Sequence, residues 1–299
     1  SFKFLLYSFS SIFYFLFALY LLKQISLYFE VNFNYLHYFL GSGIIYYVFE
    51  RYSMTPIYEV FTILLIILLT INFIKDQTKI KQYSLLIPLS MLLAILVRWT
   101  NLFVLLIPAI IILTSDDYKN LFKKITNKYF VISSIASLSL FALHSKLIYG
   151  VITFSPSYVY MVDEFDNLIQ VNLFNNFFGF VSDSFSDLLV ILFSQEFGLF
   201  WFNPILFFGT TAVVAGVFVA KSARQKIMYF LFFLCFAMNF FIVSIWNSTA
   251  SSYGYRYLSC LIPLCFILLF INKDLLSKRF IRNYLNYFSI FSIISFLFF

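Results

Sequence analysis

The chain has 299 residues, of which 62% are hydrophobic and 11% are charged, and its mean hydropathy is +0.93. A soluble domain carries about a quarter charged residues, so this composition excludes a soluble protein and indicates a polytopic membrane protein. The formal net charge of +7 does not indicate nucleic-acid binding, because most Lys and Arg residues lie in short loops between apolar runs.

Apolar runs close to the roughly 20 residues that a spanning helix needs follow one another along the chain. They cover residues 4–22, 57–74, 129–149, 199–220, 227–245, 257–271 and 284–299, and a shorter run at 35–49 is interrupted by Gly41-Ser42-Gly43. The sequence therefore predicts an all-α fold, a polytopic transmembrane helical bundle of about 8–10 spans. We expect a single transmembrane domain over 1–299, with an external loop region at 150–198.

The region 83–113 departs from this pattern. It consists of two short apolar pieces, 83–97 and 102–113, on either side of Arg98-Trp99-Thr100-Asn101. At about 1.5 Å per residue, each piece is short for a span. The sequence predicts either a re-entrant pair of half-helices or two thin spans.

Basic residues separate the loops into two groups. Four loops are rich in them, around Lys75–Lys81, Lys119–Lys128, Lys221–Lys226 and Lys273–Arg282. The positive-inside rule makes these four loops cytoplasmic. The stretch from Leu147 to Ala220 contains acidic residues but neither Lys nor Arg, so its first fifty residues are predicted to be external.

This sidedness brings polar residues from distant parts of the chain to the external face. The break at Arg98–Asn101 joins two pieces that start and end at cytoplasmic loops, so it lies outside. The turn from Trp246 to Arg256 follows a run that leaves a cytoplasmic loop, so it lies outside too, as do Glu50 and Arg51. Such convergence is what a binding site requires.

Arginine presents a planar fork that suits phosphate oxygens, and aromatic rings stack on sugar faces. We therefore predict a substrate-binding site for an anionic ligand at this face, formed by Arg98, Asn101, Trp246, Tyr253 and Arg256. The plainer interpretation is interfacial anchoring, since Arg, Trp and Tyr gather at membrane boundaries without any ligand.

Other site chemistries lack support. The chain has no Gly-rich phosphate loop. His37 and His144 are far apart and lack metal-ligand spacing, the three cysteines lie in apolar runs, and the acidic cluster at 163–166 is typical of a solvated face. No metal ligand and no catalytic residue is assigned within the chain.

Three segments resemble bacterial integral-membrane glycosyltransferases of the GT-C superfamily, the relatives of protein O-mannosyltransferases. Residues 94–101 read Ala-Ile-Leu-Val-Arg-Trp-Thr-Asn, similar to that family's Leu-Val-Arg-Pro-x-Asn stretch with Trp99 in place of proline. Residues 246–258 resemble its Trp-rich turn, ending here in Ser-Tyr-Gly-Tyr-Arg-Tyr-Leu. Residues 195–204 resemble the segment that opens the span after the external loop, and 42–61 is a looser fourth match.

The resemblance implies transfer of a sugar from a polyprenyl-phosphate donor to an acceptor at the external face of a bacterial inner (plasma) membrane. Membrane lipids would be the other partners, with no nucleic acid. The resemblance also implies a carboxylate, acting as a base or contacting a divalent metal, in a loop that would precede Ser1. We therefore expect the chain to be a fragment that lacks the catalytic Asp; Glu50 is on the correct side but in a different loop.

Two other classes remain open. Broken helices at 41–43 and 98–101 are also typical of a transporter or lipid flippase. A Phe-rich chain is also typical of an organelle-encoded subunit of a respiratory complex, although the glycosyltransferase-like segments argue against it.

Overall fold

The structure, a computed structural model, describes residues 2–31, 34–51, 55–153, 189–194, 198–245 and 256–296. This part of the chain is helical and contains no strand, which confirms the predicted all-α fold. The first helices are α1 (Phe2–Tyr28), α2 (Leu36–Phe49), α3 (Pro56–Lys75), α4 (Ile80–Val97), α5 (Trp99–Leu113), α6 (Tyr118–Ile125) and α7 (Lys128–Tyr149). They are followed by α8 (Leu199–Phe202), α9 (Pro204–Val219), α10 (Ala223–Ile245), α11 (a 3₁₀ segment Arg256–Leu261 continued by Ile262–Ile271) and α12 (Arg279–Phe296).

Four helices of the described chain are long and apolar enough to cross a membrane: Ser8–Tyr28, Pro56–Lys75, Gln77–Val97 and Lys128–Tyr149. Large apolar side chains cover the outside of the bundle; Leu147 on α7 and Phe218 on α9 are 76% and 83% exposed. An outer surface of this kind suits lipid rather than water. The fold is therefore a helical bundle with the dimensions and surface of a membrane protein.

The two pieces on either side of Arg98 are longer than the sequence indicates. A 3₁₀ turn at Gln77–Lys79 extends α4 into a segment of 21 residues, so the first piece is not a half-helix. Helix α5 begins with a 3₁₀ segment at Trp99–Leu106, which rises about 2.0 Å per residue, so its 15 residues cover roughly 26 Å. These lengths favour the two thin spans over the re-entrant pair.

The predicted interruption of the run 35–49 is a π-helical segment, Leu40–Ile44, inside α2. Gly43 adopts φ 76°, a conformation that glycine tolerates better than other residues. The amide of Asn203 donates a hydrogen bond of 2.7 Å to the carbonyl of Ser42, both of them buried. The kink therefore connects α2 to the start of α9.

The centre of the bundle is formed by α3 and α11. From Leu261 to Phe270 every side chain of α11 is buried. A helix that is hydrophobic on all sides either faces lipid or is surrounded by other helices, and the burial of these side chains shows the second case. The segment that starts at Arg256 is therefore a core element and not a peripheral span.

The four basic loops lie at one end of the bundle. Arg224 donates to the carbonyl of Ser115 at 3.0 Å, Lys124 donates to Gln77 at 2.9 Å, and a cavity is lined by Lys221 and Lys278. The break at Arg98 lies at the far end of α4 from Gln77. The arrangement agrees with the alternation of loops from which sidedness was predicted.

Labelling of introduced cysteines tests this sidedness. The native cysteines Cys235, Cys260 and Cys265 are all buried, so they should contribute little background. We expect a membrane-impermeant maleimide added outside intact cells to label Val151→Cys but not Lys226→Cys. Lys124→Cys is the control and should behave as Lys226→Cys does. Labelling of both lysine positions from outside would contradict the predicted orientation.

Candidate functional site

The end of the bundle opposite the basic loops gathers the start of α3, the end of α4 and the starts of α5 and α11. Of the predicted site residues, Arg98 and Asn101 are fully described. Arg256 begins the 3₁₀ segment of α11, but its side chain lies outside the described part, as do Trp246 and Tyr253. The site is therefore built from Arg98 outward.

Arg98 separates α4 from α5. Its backbone is extended, with φ −157° and ψ 125°, and this ends α4 at Val97. The N–H of Arg98 still donates to the carbonyl of Ala94 at 3.2 Å, and the N–H of Asn101 donates to the carbonyl of Arg98 at 3.0 Å. The chain thus turns within four residues and directs the arginine side chain into the bundle.

The guanidinium of Arg98 pairs with Glu59, a residue that the sequence analysis did not single out. Arg98 Nη1 lies 3.0 Å from Glu59 Oε1, and the two side chains are 15% and 0% exposed. An uncompensated charge at this depth would cost several kcal/mol, so each group stabilises the other. A fixed cation therefore exists here only together with a fixed anion.

Glu59 did carry a signal in the sequence. It is the one acidic residue of α3, one turn after Pro56, inside the apolar run 57–74. Ionisable residues within membrane segments pair with one another and mark functional positions by default. A carboxylate in the first turn is also favoured by the helix dipole.

The ring of Tyr257 covers the guanidinium. The central guanidinium carbon of Arg98 lies 4.7 Å from the centroid of that ring, within the range of a cation–π interaction. Tyr257 follows Arg256 directly in α11. The contact therefore joins the two segments that the sequence predicts to converge, the break at 98–101 and the turn at 246–258.

Asn101 is completely buried. Its Nδ2 donates to the carbonyl of Ala94 at 3.0 Å, which holds the broken ends of α4 and α5 together. Its Oδ1 has no hydrogen-bond partner among the described residues. The amide thus has a structural role, and its part in substrate binding stays a prediction.

A cavity of about 180 Å³ lies beside Arg98, between the ends of α4 and α7. Its polar lining includes Arg98, Trp99, His144 and Tyr149. The sequence gives His144 no metal-ligand spacing and no partner; the structure places it on the wall of the same cavity as Arg98. The packing of α7 against α4 creates this proximity, and no local pattern indicates it.

A second, apolar cavity of about 380 Å³ adjoins this one, between α4, α5 and α7. Ile95 and Phe141 line both cavities. Leu105 and Leu138 form part of the apolar wall and are 54% and 61% exposed, so the wall reaches the outer surface of the bundle. We call the two cavities together the α4–α7 groove.

The part of the chain that the structure describes contains no candidate metal site. No group of three or more His, Cys, Asp or Glu residues there could hold an ion.

Comparison with known protein families, with curated proteins and with solved structures finds no match.

The ion pair of Glu59 and Arg98 should be detectable in the free energy of unfolding. We expect Arg98→Met to lower the free energy of unfolding by about 3–5 kcal/mol, because Glu59 is left buried without its partner. The double variant Glu59→Gln/Arg98→Met should recover a large part of that loss. The measurement is a double-mutant cycle by reversible unfolding in detergent.

The pair Arg224–Asp116 provides the control, because it is also an arginine–carboxylate contact, of 2.8 Å, but the Asp116 side chain is 99% exposed. Its cycle should give a coupling close to zero. Equal coupling in the two cycles would contradict the account of Glu59 and Arg98.

Proposed function

We propose that the full-length protein transfers a sugar from a polyprenyl-phosphate-linked donor to an acceptor at the external face of the membrane. The donor phosphate would lie near Arg98 and Arg256, and the first part of the prenyl chain would occupy the α4–α7 groove. The observation that carries the proposal is a fixed guanidinium on the wall of a cavity that adjoins an apolar cavity reaching the outer surface of the bundle. A lipid phosphate has this same order of parts, an anion followed by an apolar chain.

The ion pair with Glu59 is compatible with ligand binding by Arg98. Arginine has five N–H donors in a rigid fork, and the contact with Glu59 uses Nη1. The side chain keeps 15% of its surface exposed and lines the cavity. Because Glu59 and Tyr257 hold the guanidinium in one orientation, the Arg98 side chain would lose little further conformational entropy when a phosphate binds.

The polar lining supports a sugar-bearing ligand rather than a bare lipid. Trp99 and Tyr149 offer aromatic faces beside Arg98, and His144 offers a ring nitrogen. Amphipathic rings of this kind favour the membrane boundary as well. The proposal assigns these residues to binding; the base that activates the acceptor is not assigned within this chain.

Substitution of the two arginines tests the proposal directly. In the full-length protein, Arg98→Lys keeps the charge beside Glu59 but loses the planar fork, and Arg256→Ala loses the cation. We expect each to lower sugar transfer from a polyprenyl-phosphate donor roughly tenfold or more, as expected for the loss of a charged hydrogen bond.

The matched control is Arg224→Lys, at the opposite end of the bundle, which should leave transfer unchanged. Normal activity and normal donor affinity in both Arg98→Lys and Arg256→Ala would refute the proposal.

A larger side chain in the apolar part of the α4–α7 groove tests binding of the prenyl chain separately from binding of the phosphate. Ser134 lines that cavity, whereas Ser139 on the same helix is exposed elsewhere. Ser134→Leu should raise the KM for the long-chain donor severalfold while a short-chain analogue is affected less. Ser139→Leu should change neither constant, and equal effects of the two variants would argue against the groove.

A second function, a transporter or flippase, is favoured by the two interrupted helices, at Leu40–Ile44 and at Arg98. Reconstituted protein would then move a lipid or solute across a vesicle membrane without sugar transfer. Transfer without such movement supports the glycosyltransferase.

A further inference from the structure

A separate cavity of about 480 Å³ lies at the end of the bundle that carries the basic loops. One wall is α9, where Ala212, Ala215 and Gly216 leave room that larger side chains would fill. The ring of Tyr229 on α10 packs directly on Gly216, and Leu275 contributes a further apolar surface. The cavity is therefore mostly apolar along its depth.

The rim of this cavity is cationic. Lys221 follows α9, and Lys278 lies in the loop before α12; both side chains are exposed and both line the cavity. Among the described residues, no carboxylate lies within 4.0 Å of either ammonium, whereas the basic residues Lys79 and Arg224 nearby do have acidic partners. The two charges are therefore available to an anion.

The other polar groups of the cavity have internal partners. Tyr229 donates to Asn272 Oδ1 at 2.9 Å, and Asn272 donates to the carbonyl of Leu268 at 2.8 Å. Gln225 Oε1 accepts from the backbone N–H groups of Lys221 and Ser222 at 3.3 Å. This leaves the two lysines as the groups that would recognise a ligand.

We infer that this cavity binds one anionic phospholipid, with the phosphate between Lys221 and Lys278 and an acyl chain against Ala212, Ala215 and Gly216. The order of surfaces supports this occupant: two cations at the rim lead to an apolar wall that includes Val219, whose side chain is 72% exposed at the surface of the bundle. The basic loops are predicted to be cytoplasmic, where anionic lipids attract Lys and Arg. A soluble anion would need no such apolar wall.

The site is independent of the proposed sugar transfer, because it shares no residue with the α4–α7 groove. The test is native mass spectrometry of the full-length protein in detergent, titrated with phosphatidylglycerol and with phosphatidylcholine of the same chains. We expect preferential retention of one phosphatidylglycerol. Lys221→Gln and Lys278→Gln should each weaken its apparent affinity about fivefold, while phosphatidylcholine is little affected.

Two further variants sharpen the result. Lys226 lies five residues from Lys221, in the first turn of α10, and does not line the cavity, so Lys226→Gln removes a nearby positive charge and should have no effect. Ala215→Phe fills the cavity and should reduce phosphatidylglycerol retention with both lysines intact. The inference would be overturned by equal retention of the two lipids, or by equal effects of Lys226→Gln and Lys221→Gln. It would also be overturned if inorganic phosphate displaced the lipid while Ala215→Phe left phosphatidylglycerol retention unchanged. Sugar transfer, measured in parallel, should be unchanged in the lysine variants.

Discussion

The buried pair of Glu59 and Arg98 is the interaction on which the end of this bundle opposite the basic loops depends. Removing two charges from water costs several kcal/mol each, and only close pairing offsets that cost. The 3.0 Å contact ties the first turn of α3 to the break between α4 and α5, and the ring of Tyr257 adds α11. Four helix ends, those of α3, α4, α5 and α11, are thereby joined at one point, and this junction fixes the orientation of Arg98 on the wall of the adjacent cavity.

A related constraint is the shared construction of α5 and α11. Arg98 immediately precedes α5, and Arg256 begins α11. Each helix starts as a 3₁₀ segment and becomes α-helical at an Ile-Pro pair, Ile107-Pro108 or Ile262-Pro263. A 3₁₀ helix rises more per residue than an α-helix, so these short apolar segments extend further across the bundle than α-helices of the same number of residues would. The same construction puts both arginines at the end of the bundle away from the basic loops.

Much of the fold followed from simple regularities of the sequence, and the site followed only in part. Run length and loop charge predicted the helices, the interruptions at 41–43 and 98–101, and the approach of Arg98 to the turn at 246–258. Glu59 was missed because a single acid disappears in the average of an apolar run. The groove was missed because it arises where α7 packs on α4, and such contacts between distant helices leave no local pattern. Trp246 and Tyr253 lie outside the described residues, so their roles stay predictions.

The most direct measurement is a cryo-EM structure of the full-length protein in lipid nanodiscs with a bound polyprenyl phosphate. We expect the phosphate within hydrogen-bond reach of Arg98 or Arg256, with Arg98 still paired to Glu59. We also expect prenyl density between α4 and α7 beside Ile95 and Phe141. A phosphate bound away from both arginines, or prenyl density along a different pair of helices, would contradict this expectation.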